Sequence, residues 1–545
     1  MQGLMMDRQL LISAIIDHAA SYHSDTEVVS VNTKGGQHRT NYAEIRRRAL
    51  KLASVFNKRG LAKSDRIATI AWNNFRHLEL YYAISGNGQV CHTINPRLFA
   101  DQMTYIINHA EDRMIFFDAT FLPLVEGLRD KLKTVEAFVL MEPRDEETAE
   151  KYPWLEFYED LIESGDEDYQ WPDDLDENDA SSLCYTSGTT GNPKGVLYSN
   201  RSTLIHAMMS ATPDVVNLSA RDCLLPVVPM FHVNAWGTAY AAPMVGTKMV
   251  MPGPNLDGKS IATLFNQEKV TVSAGVPTIW AGLIDYLEQS GDKLPYLKRT
   301  VVGGSACPPS MIEKFRTGYD VEVLHAWGMT ELSPLGTVNN LKNKHDALDN
   351  DDQENLRCSQ GRPAFGIELG VFDDEDNRLA EDGEAQGNLY CRGHWVMNNY
   401  FQSEGNDLRN GNWFPTGDVA TIDEDGFMTI RDRSKDIIKS GGEWISTVEL
   451  ENLALGHPSI ADAAVIAAKH PKWDERPLLL LVEKAGSKFT ENHMNEIYDG
   501  KVAKWWVPDT FRVVDEIPRN ATGKVRKNLL RETFGDSLMD DPKLA

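Results

Sequence analysis

Six cysteines in 545 residues (Cys91, Cys184, Cys223, Cys307, Cys358 and Cys391) stand far apart, and no two form a Cys-x-x-Cys pair. The sequence therefore supports neither a disulfide framework nor a zinc site, and a reduced, cytoplasmic setting fits it best. Positive charge is also short: 55 Lys and Arg against 80 Asp and Glu leave a formal charge of −25. Such a surface repels nucleic acid and anionic lipid, so a phosphate-bearing partner has to be gripped by a local site. No apolar stretch reaches the roughly 20 residues that span a bilayer, and stable membrane insertion is not expected. The apolar run at residues 10–16 is too short for a secretory core and reads as an amphipathic opening helix. Repeats and low-complexity segments are absent. What is present is an ordinary globular balance, 42% hydrophobic and 25% charged, which excludes wholesale disorder. The length exceeds one core and predicts two or three packed units.

Over the first 430 or so residues, short β-branched runs alternate with longer helical patterns. Strands are expected at residues 66–71, 114–118, 137–141, 223–230, 270–276, 299–302 and 322–325, with helices at 42–59 and 101–109 among those between them. This rhythm predicts parallel sheets covered by helices, with ligands beyond the carboxyl ends of strands. After about residue 365 the strands shorten, and hairpin signals appear at 374–377 and 423–426. Acidic stretches at 142–150 and 346–354 read as solvated loops. The segment DRSKDIIKSGGEWIS (residues 432–446) marks a boundary, followed by helix, strand, strand, helix and a basic tail. His206 and the Met208–Met209 pair read as helix packing, and Trp505–Trp506 as core or interface.

The strongest local signal is SSLCYTSGTTGNPKGVLYSN, residues 181–200. An apolar strand runs into a loop of three glycines, four hydroxyls and one lysine. Such a loop lets backbone N–H groups approach an anion closely and adds hydroxyl donors and a compact positive charge. It can hold a polyphosphate without a basic surface. It is not a Walker A loop, because Pro193 stands where the second glycine belongs and no Ser or Thr follows Lys194.

YTSGTTGNPKG (residues 185–195) resembles the phosphate loop of the adenylate-forming superfamily, which comprises acyl-CoA synthetases, peptide-synthetase adenylation domains and beetle luciferases. Further motifs follow in family order, and the resemblance covers nearly the whole chain. It implies that Thr186, Ser187, Gly188, Thr189, Thr190 and Lys194 bind the phosphates of ATP. VVGGSACP (residues 301–308) matches the adenine-pocket segment, with Gly303, Gly304 and Ser305 against the base. In HAWGMTE (residues 325–331), His325, Ala326, Trp327, Gly328 and Met329 would border the nucleoside and Thr330 would meet the α-phosphate. Glu331 and Thr186 would hold Mg²⁺. The family usually carries Tyr where Trp327 stands; either ring offers a flat face. In FPTGD, Asp418 would take the ribose hydroxyls, with Ile430 packing on the nucleoside and Arg433 adding a second ribose contact.

The resemblance also implies domain alternation. Residues 1–432 would form an ATP- and acyl-binding N-terminal domain, 433–435 the hinge with Lys435 at its pivot, and 436–545 a mobile C-terminal domain. The fold class is α/β: helix-covered sheets, a β-rich subdomain and a small α+β domain. Lys524, at the end of PRNATGK, would reach the acyl and phosphate oxygens during adenylation. Asn520 stands there where the family often has Thr. Lys439, Ser440, Gly441, Gly442, Glu443 and Trp444 would form the opposite face, used when the coenzyme A thiol attacks.

MFHVNAWG (residues 230–237) matches the acyl-pocket segment, where His232, Val233 and Trp236, with Gly304 and Pro334, would position the acid. Met230, Ala274 and Gly275 would add apolar lining. No cationic partner for a second carboxylate is evident. HTINPRL (residues 92–98), Trp236 and GGEWIS together are similar to medium-chain acyl-CoA synthetases and 3-(methylthio)propanoate–CoA ligases. The implied reaction joins a short- to medium-chain monocarboxylic acid to coenzyme A through acyl-AMP, as in fatty acid metabolism. Loading of a carrier protein, a luciferase-like oxygenase and a non-catalytic nucleotide-binding regulator remain as alternatives. Oligomeric state stays open, a homodimer among the options.

Overall fold

Period-2 alternation decides the architecture, because the central strands are apolar on both faces. In the strand Met114–Phe117, Met114 and Phe116 enter one core while Ile115 and Phe117 enter another. A sheet buried on both sides has to be covered by helices, and the computed structural model shows two such sheets. It describes residues 1, 3–186, 192–405, 407–409, 411–440, 443–519 and 524–539.

The seven-stranded sheet runs Leu155–Phe157, Ala137–Leu140, Met114–Phe117, Arg66–Ile70, Val90–Thr93, Ala180–Tyr185, Gly195–Ser199. All its pairs are parallel except the last. The nine-stranded sheet is parallel through its middle, from Glu27–Val31 to Glu322–Gly328, with antiparallel strands at both edges. The two sheets share one core. Ile67, Cys91 and Cys184 from the first meet Leu224, Met249 and Val301 from the second, with helices Ile12–Tyr22, Tyr42–Lys58, Phe75–Gly86 and Thr238–Met244 between them. A four-stranded antiparallel sheet, Ile367–Phe372 to Met428–Arg433, abuts this core.

From Ile438 the chain builds a separate five-stranded sheet. Ala463, Val465, Leu479 and Leu481 face one small core; Ala464, Ile466, Leu478 and Leu480 face another. Helices Thr447–Leu455 and Glu491–Tyr498 cover the first, and helix Lys527–Phe534 the second.

The opening helix forms at Ile12–Tyr22 and buries Ile12, Ile15, Ile16 and Ala19 at helical spacing. Both hairpin signals lie at turns: residues 423–426 join two paired strands, and 374–377 sit beneath the Phe372–Arg378 bridge. Two acidic stretches differ from expectation. Helices form at Glu146–Lys151 and Asn350–Cys358, because Asp145 and Asp349 cap them and further acids fill each first turn. Strand Cys223–Pro226 stops four residues short of the expected end, and Glu322–Gly328 continues three residues further. The strand Thr510–Val513 and the helix Lys527–Phe534 fall where only a basic tail is legible. His206 packs as expected, with Nε2 accepting the Leu335 N–H; Met208 is exposed.

Candidate functional site

Strand Ala180–Tyr185 delivers Thr186 to the rim of the seven-stranded sheet, and strand Gly195–Ser199 returns antiparallel beside it. The Thr186 N–H donates to the Lys194 carbonyl (2.8 Å), and the Lys194 N–H donates to Thr186 Oγ1 (3.2 Å). These bonds close the base of the loop. Ser187, Gly188, Thr189 and Thr190 lie outside the described residues. The Lys194 ammonium sits 4.4 Å from the ring centre of Tyr400.

Across the site, strand Glu322–Gly328 ends in a sharp turn. A side chain at Gly328 would strike the Pro334 carbonyl at 2.0 Å, so only glycine fits there. The short helical turn Thr330–Leu332 then sets Glu331 inward, 6% exposed, with Oε1 accepting from the Tyr400 hydroxyl at 2.6 Å. The Tyr198 hydroxyl holds the Thr330 carbonyl at 2.6 Å. The His325 side chain is spent on the backbone: Nδ1–H donates to the Cys358 carbonyl and Nε2 accepts the Cys307 N–H. Burial pushes its pKa down to about 4. Neither ring nitrogen is left for a ligand.

Asp418 and Arg433 are register partners on adjacent strands, and Arg433 Nε lies 2.8 Å from Asp418 Oδ1. The other carboxylate oxygen accepts the Trp327 indole N–H at 2.9 Å. Trp327 also covers Gly336, where a Cβ would lie 2.4 Å from its ring. The Ile430 N–H donates to Gln360 Oε1 on the neighbouring segment.

Trp236 closes another wall. Its indole lies against Gly303 and Gly304, 3.3 and 3.8 Å from where their Cβ atoms would stand, and Gly304 has φ +82°. Residues Val233, Asn234, Ala235 and Trp236 all have positive φ (45°, 52°, 51° and 56°), a left-handed turn of four non-glycine residues. Such backbone costs about 1–2 kcal/mol per residue. Asn234 anchors the turn by donating to Ser182 Oγ and accepting from the Tyr81 hydroxyl. Ala274 faces the same central core. A side chain at Gly275 would instead point at Trp280, away from Trp236.

Lys524 arrives from the C-terminal sheet unit. Burial pushes its pKa down to about 8; positive Arg433 and Lys435 add to the shift, and Asp418 and Glu331 oppose it. Lys524 is therefore among the groups of the N-terminal site. It also acts on His232, whose pKa falls to about 4 through burial, then Lys524 and Arg97. His232 is neutral near pH 7. Lys435 is lowered as well, through burial.

The structure does not bring Lys439 into this group. Lys439 lies on strand Ile438–Ser440 with its ammonium 5.4 Å from the Trp444 ring centre, and its N–H donates to Glu475. Ser440 is buried beside it; Gly441, Gly442 and the Glu443 side chain lie outside the described residues. Sequence reasoning missed Tyr400, which no local motif marks, and gave no role to Tyr198 or Arg97, although they stand inside the segments 181–200 and 92–98. At the junction it missed Asp432, which accepts from Thr447 N–H and Oγ1 at 2.6 Å each.

Among the described residues, no three His, Cys, Asp or Glu side chains cluster as a metal cage. A lone buried carboxylate such as Glu331 fits Mg²⁺, which is held by one or two carboxylates plus substrate phosphates. No helix among them is long and apolar enough to cross a membrane.

Two family models match the chain: AMP-binding enzyme over residues 16–401 and AMP-binding enzyme C-terminal domain over 449–524. The chain is 58% identical over 538 residues to a 3-methylmercaptopropionyl-CoA ligase of Ruegeria lacuscaerulensis, covering 99% of this chain and 100% of that protein. It is also 58% identical over 539 residues to a medium-chain-fatty-acid–CoA ligase of Ectopseudomonas oleovorans, covering 99% and 98%. The solved anthranilate CoA ligase AuaEII with anthranoyl-AMP has the same fold, with TM-score 0.85, 22% identity and coverage of 98% and 99%.

Proposed function

The chain belongs to the AMP-binding enzyme family, and from that premise we propose an ATP-dependent acid–CoA ligase that works through an acyl-AMP. The observation that carries this reading is the convergence of Lys524, from the C-terminal sheet unit, on Glu331 beside the nine-stranded sheet and on Asp418 and Arg433 of the four-stranded sheet. A cation delivered by a separate unit suits a reaction in which phosphate charge builds up and then departs.

In the first step, a carboxylate oxygen of the acid attacks the α-phosphorus of ATP and the bond to pyrophosphate breaks. Thr186 and Lys194 grip the phosphates, and Asp418 with Arg433 receives the ribose. Lys524 offsets charge on the acyl and leaving oxygens. Mg²⁺, held by Glu331 with Thr186, would neutralise part of the phosphate charge. His232, neutral at working pH, and Trp236 position the acid. In the second step the coenzyme A thiolate attacks the acyl carbon and AMP leaves. Residues 434–437 lie between the strand ending at Arg433 and the sheet beginning at Ile438, which supports a hinge at 433–435 between domains 1–432 and 436–545. Swinging about Lys435 would replace Lys524 by the Lys439–Trp444 face.

Relatives at equal identity act on 3-methylmercaptopropionate and on medium-chain fatty acids. Trp236 and the uncharged wall around it support a short- to medium-chain monocarboxylic acid, with 3-(methylthio)propanoate the leading candidate. AMP release is measured with Mg-ATP and acids from propanoate and 3-(methylthio)propanoate to dodecanoate, with and without coenzyme A. CoA-dependent release peaking at one chain length is expected. Pyrophosphate exchange without any CoA dependence would instead assign a carrier protein or another acceptor.

A further inference from the structure

Tyr400 belongs to none of the sequence motifs, yet it touches two of the groups that the proposed function uses. The segment carrying it is stitched into the site on both sides. The Met397 N–H donates to the Glu331 carbonyl (2.9 Å), and the Phe401 N–H donates to the Gly195 carbonyl (2.8 Å), directly after Lys194. Gln402 Nε2 donates to the His109 carbonyl, and the Tyr400 N–H to Asp407. The Tyr400 hydroxyl therefore meets Glu331 Oε1 at 2.6 Å on a fixed backbone, while its ring face carries the Lys194 ammonium at 4.4 Å.

We propose that Tyr400 is a positioning residue for the metal–phosphate end of the site. Its hydroxyl occupies one oxygen of Glu331 and turns the other toward Mg²⁺, and its ring holds Lys194 beside that carboxylate for the incoming triphosphate. The inference rests on the reading of Glu331 as the metal carboxylate. A hydroxyl bonded to a carboxylate is a strong, directional contact that removes the rotational freedom a metal would otherwise have to freeze. A cation over an aromatic face is held more weakly, so Lys194 can leave it for phosphate oxygens.

Calorimetric ATP binding, with Mg²⁺ and with EDTA, tests this on Tyr400→Phe, Tyr400→Leu and Glu331→Gln in the full chain. Tyr400→Phe keeps the ring and loses the hydroxyl. It is expected to lose about 10-fold to 100-fold of the affinity gained from Mg²⁺ while metal-free binding stays within about twofold. Tyr400→Leu is expected to weaken metal-free binding as well. A Tyr400→Phe protein with the full Mg²⁺ gain, or one weakened equally with and without metal, overturns the proposal. Retention of that gain by Glu331→Gln overturns the metal reading itself, a separate outcome.

Discussion

Lys524 is a site residue whose charge the pH can switch. Its pKa lies near 8 instead of the usual lysine value, with burial as the main cause. The protonated form is the one that offsets phosphate charge, so adenylation should be maximal below pH 8 and fall as pH rises through it. His232 contributes no opposing change in this range, because it titrates near 4. Pyrophosphate exchange followed from pH 6 to 10 should show one alkaline limb near 8. In Lys524→Arg the limb should vanish, since guanidinium stays charged, whatever the residual rate. Asp418 is the second residue with a clear expectation. Its two oxygens are already aligned by Arg433 and Trp327. Asp418→Ala should raise the KM for ATP about 10-fold to 100-fold, the range for lost hydrogen bonds to a charged group, measured at saturating acid.

At the scale of elements, the junction is held by a buried polar cluster. Asp432, at the end of the four-stranded sheet, accepts from Thr447 at the start of a C-terminal helix. The Lys527 ammonium joins them, 2.5 Å from Thr447 Oγ1 and 2.7 Å from Glu451. Four residues on, Arg531 pairs with Asp436 at 2.6 Å. One helix thereby grips both flanks of the proposed hinge with two side chains on the same face. Removing one member of a buried charge cluster leaves the others uncompensated. Lys527→Met should therefore destabilise the C-terminal unit by about 3–5 kcal/mol in urea unfolding. The left-handed turn at Val233–Trp236 is the other element of note. Its strain is borne by Asn234 contacts to Ser182 and Tyr81, which fix Trp236 against the glycines at 303 and 304.

At the scale of the whole molecule, the proposed division of labour predicts that two lysines fail in different half-reactions. Lys524→Ala should cut pyrophosphate exchange by about 10²-fold to 10³-fold, yet convert supplied acyl-AMP and coenzyme A to thioester. Lys439→Ala should exchange pyrophosphate and lose rate in the thioester step. Equal loss in both steps for both variants would argue against alternation about residues 433–435.

Where the proposed chemistry depends on contiguous residues, the sequence by itself carries the reading. The phosphate loop, the glycine pair at 303–304 and the Thr330–Glu331 pair are each local strings, because a strand end and its turn must supply several groups at once. The parallel-sheet architecture was legible for a similar reason: strands buried on both faces show as uninterrupted apolar runs. Helix caps were less so, and the Asp145 and Asp349 helices read as loops because charge density masked the capping geometry. Only the tertiary structure decided that Tyr400 meets Glu331, 69 residues away, and that Asp432 faces Lys527. It also set Lys524, which the resemblance had already assigned to the phosphate end, near Asp418 and Glu331, and it withdrew the His325 ring nitrogens into backbone support. These are long-range pairings fixed by how sheets stack and where the chain crosses between them, and no spacing along a single strand encodes them.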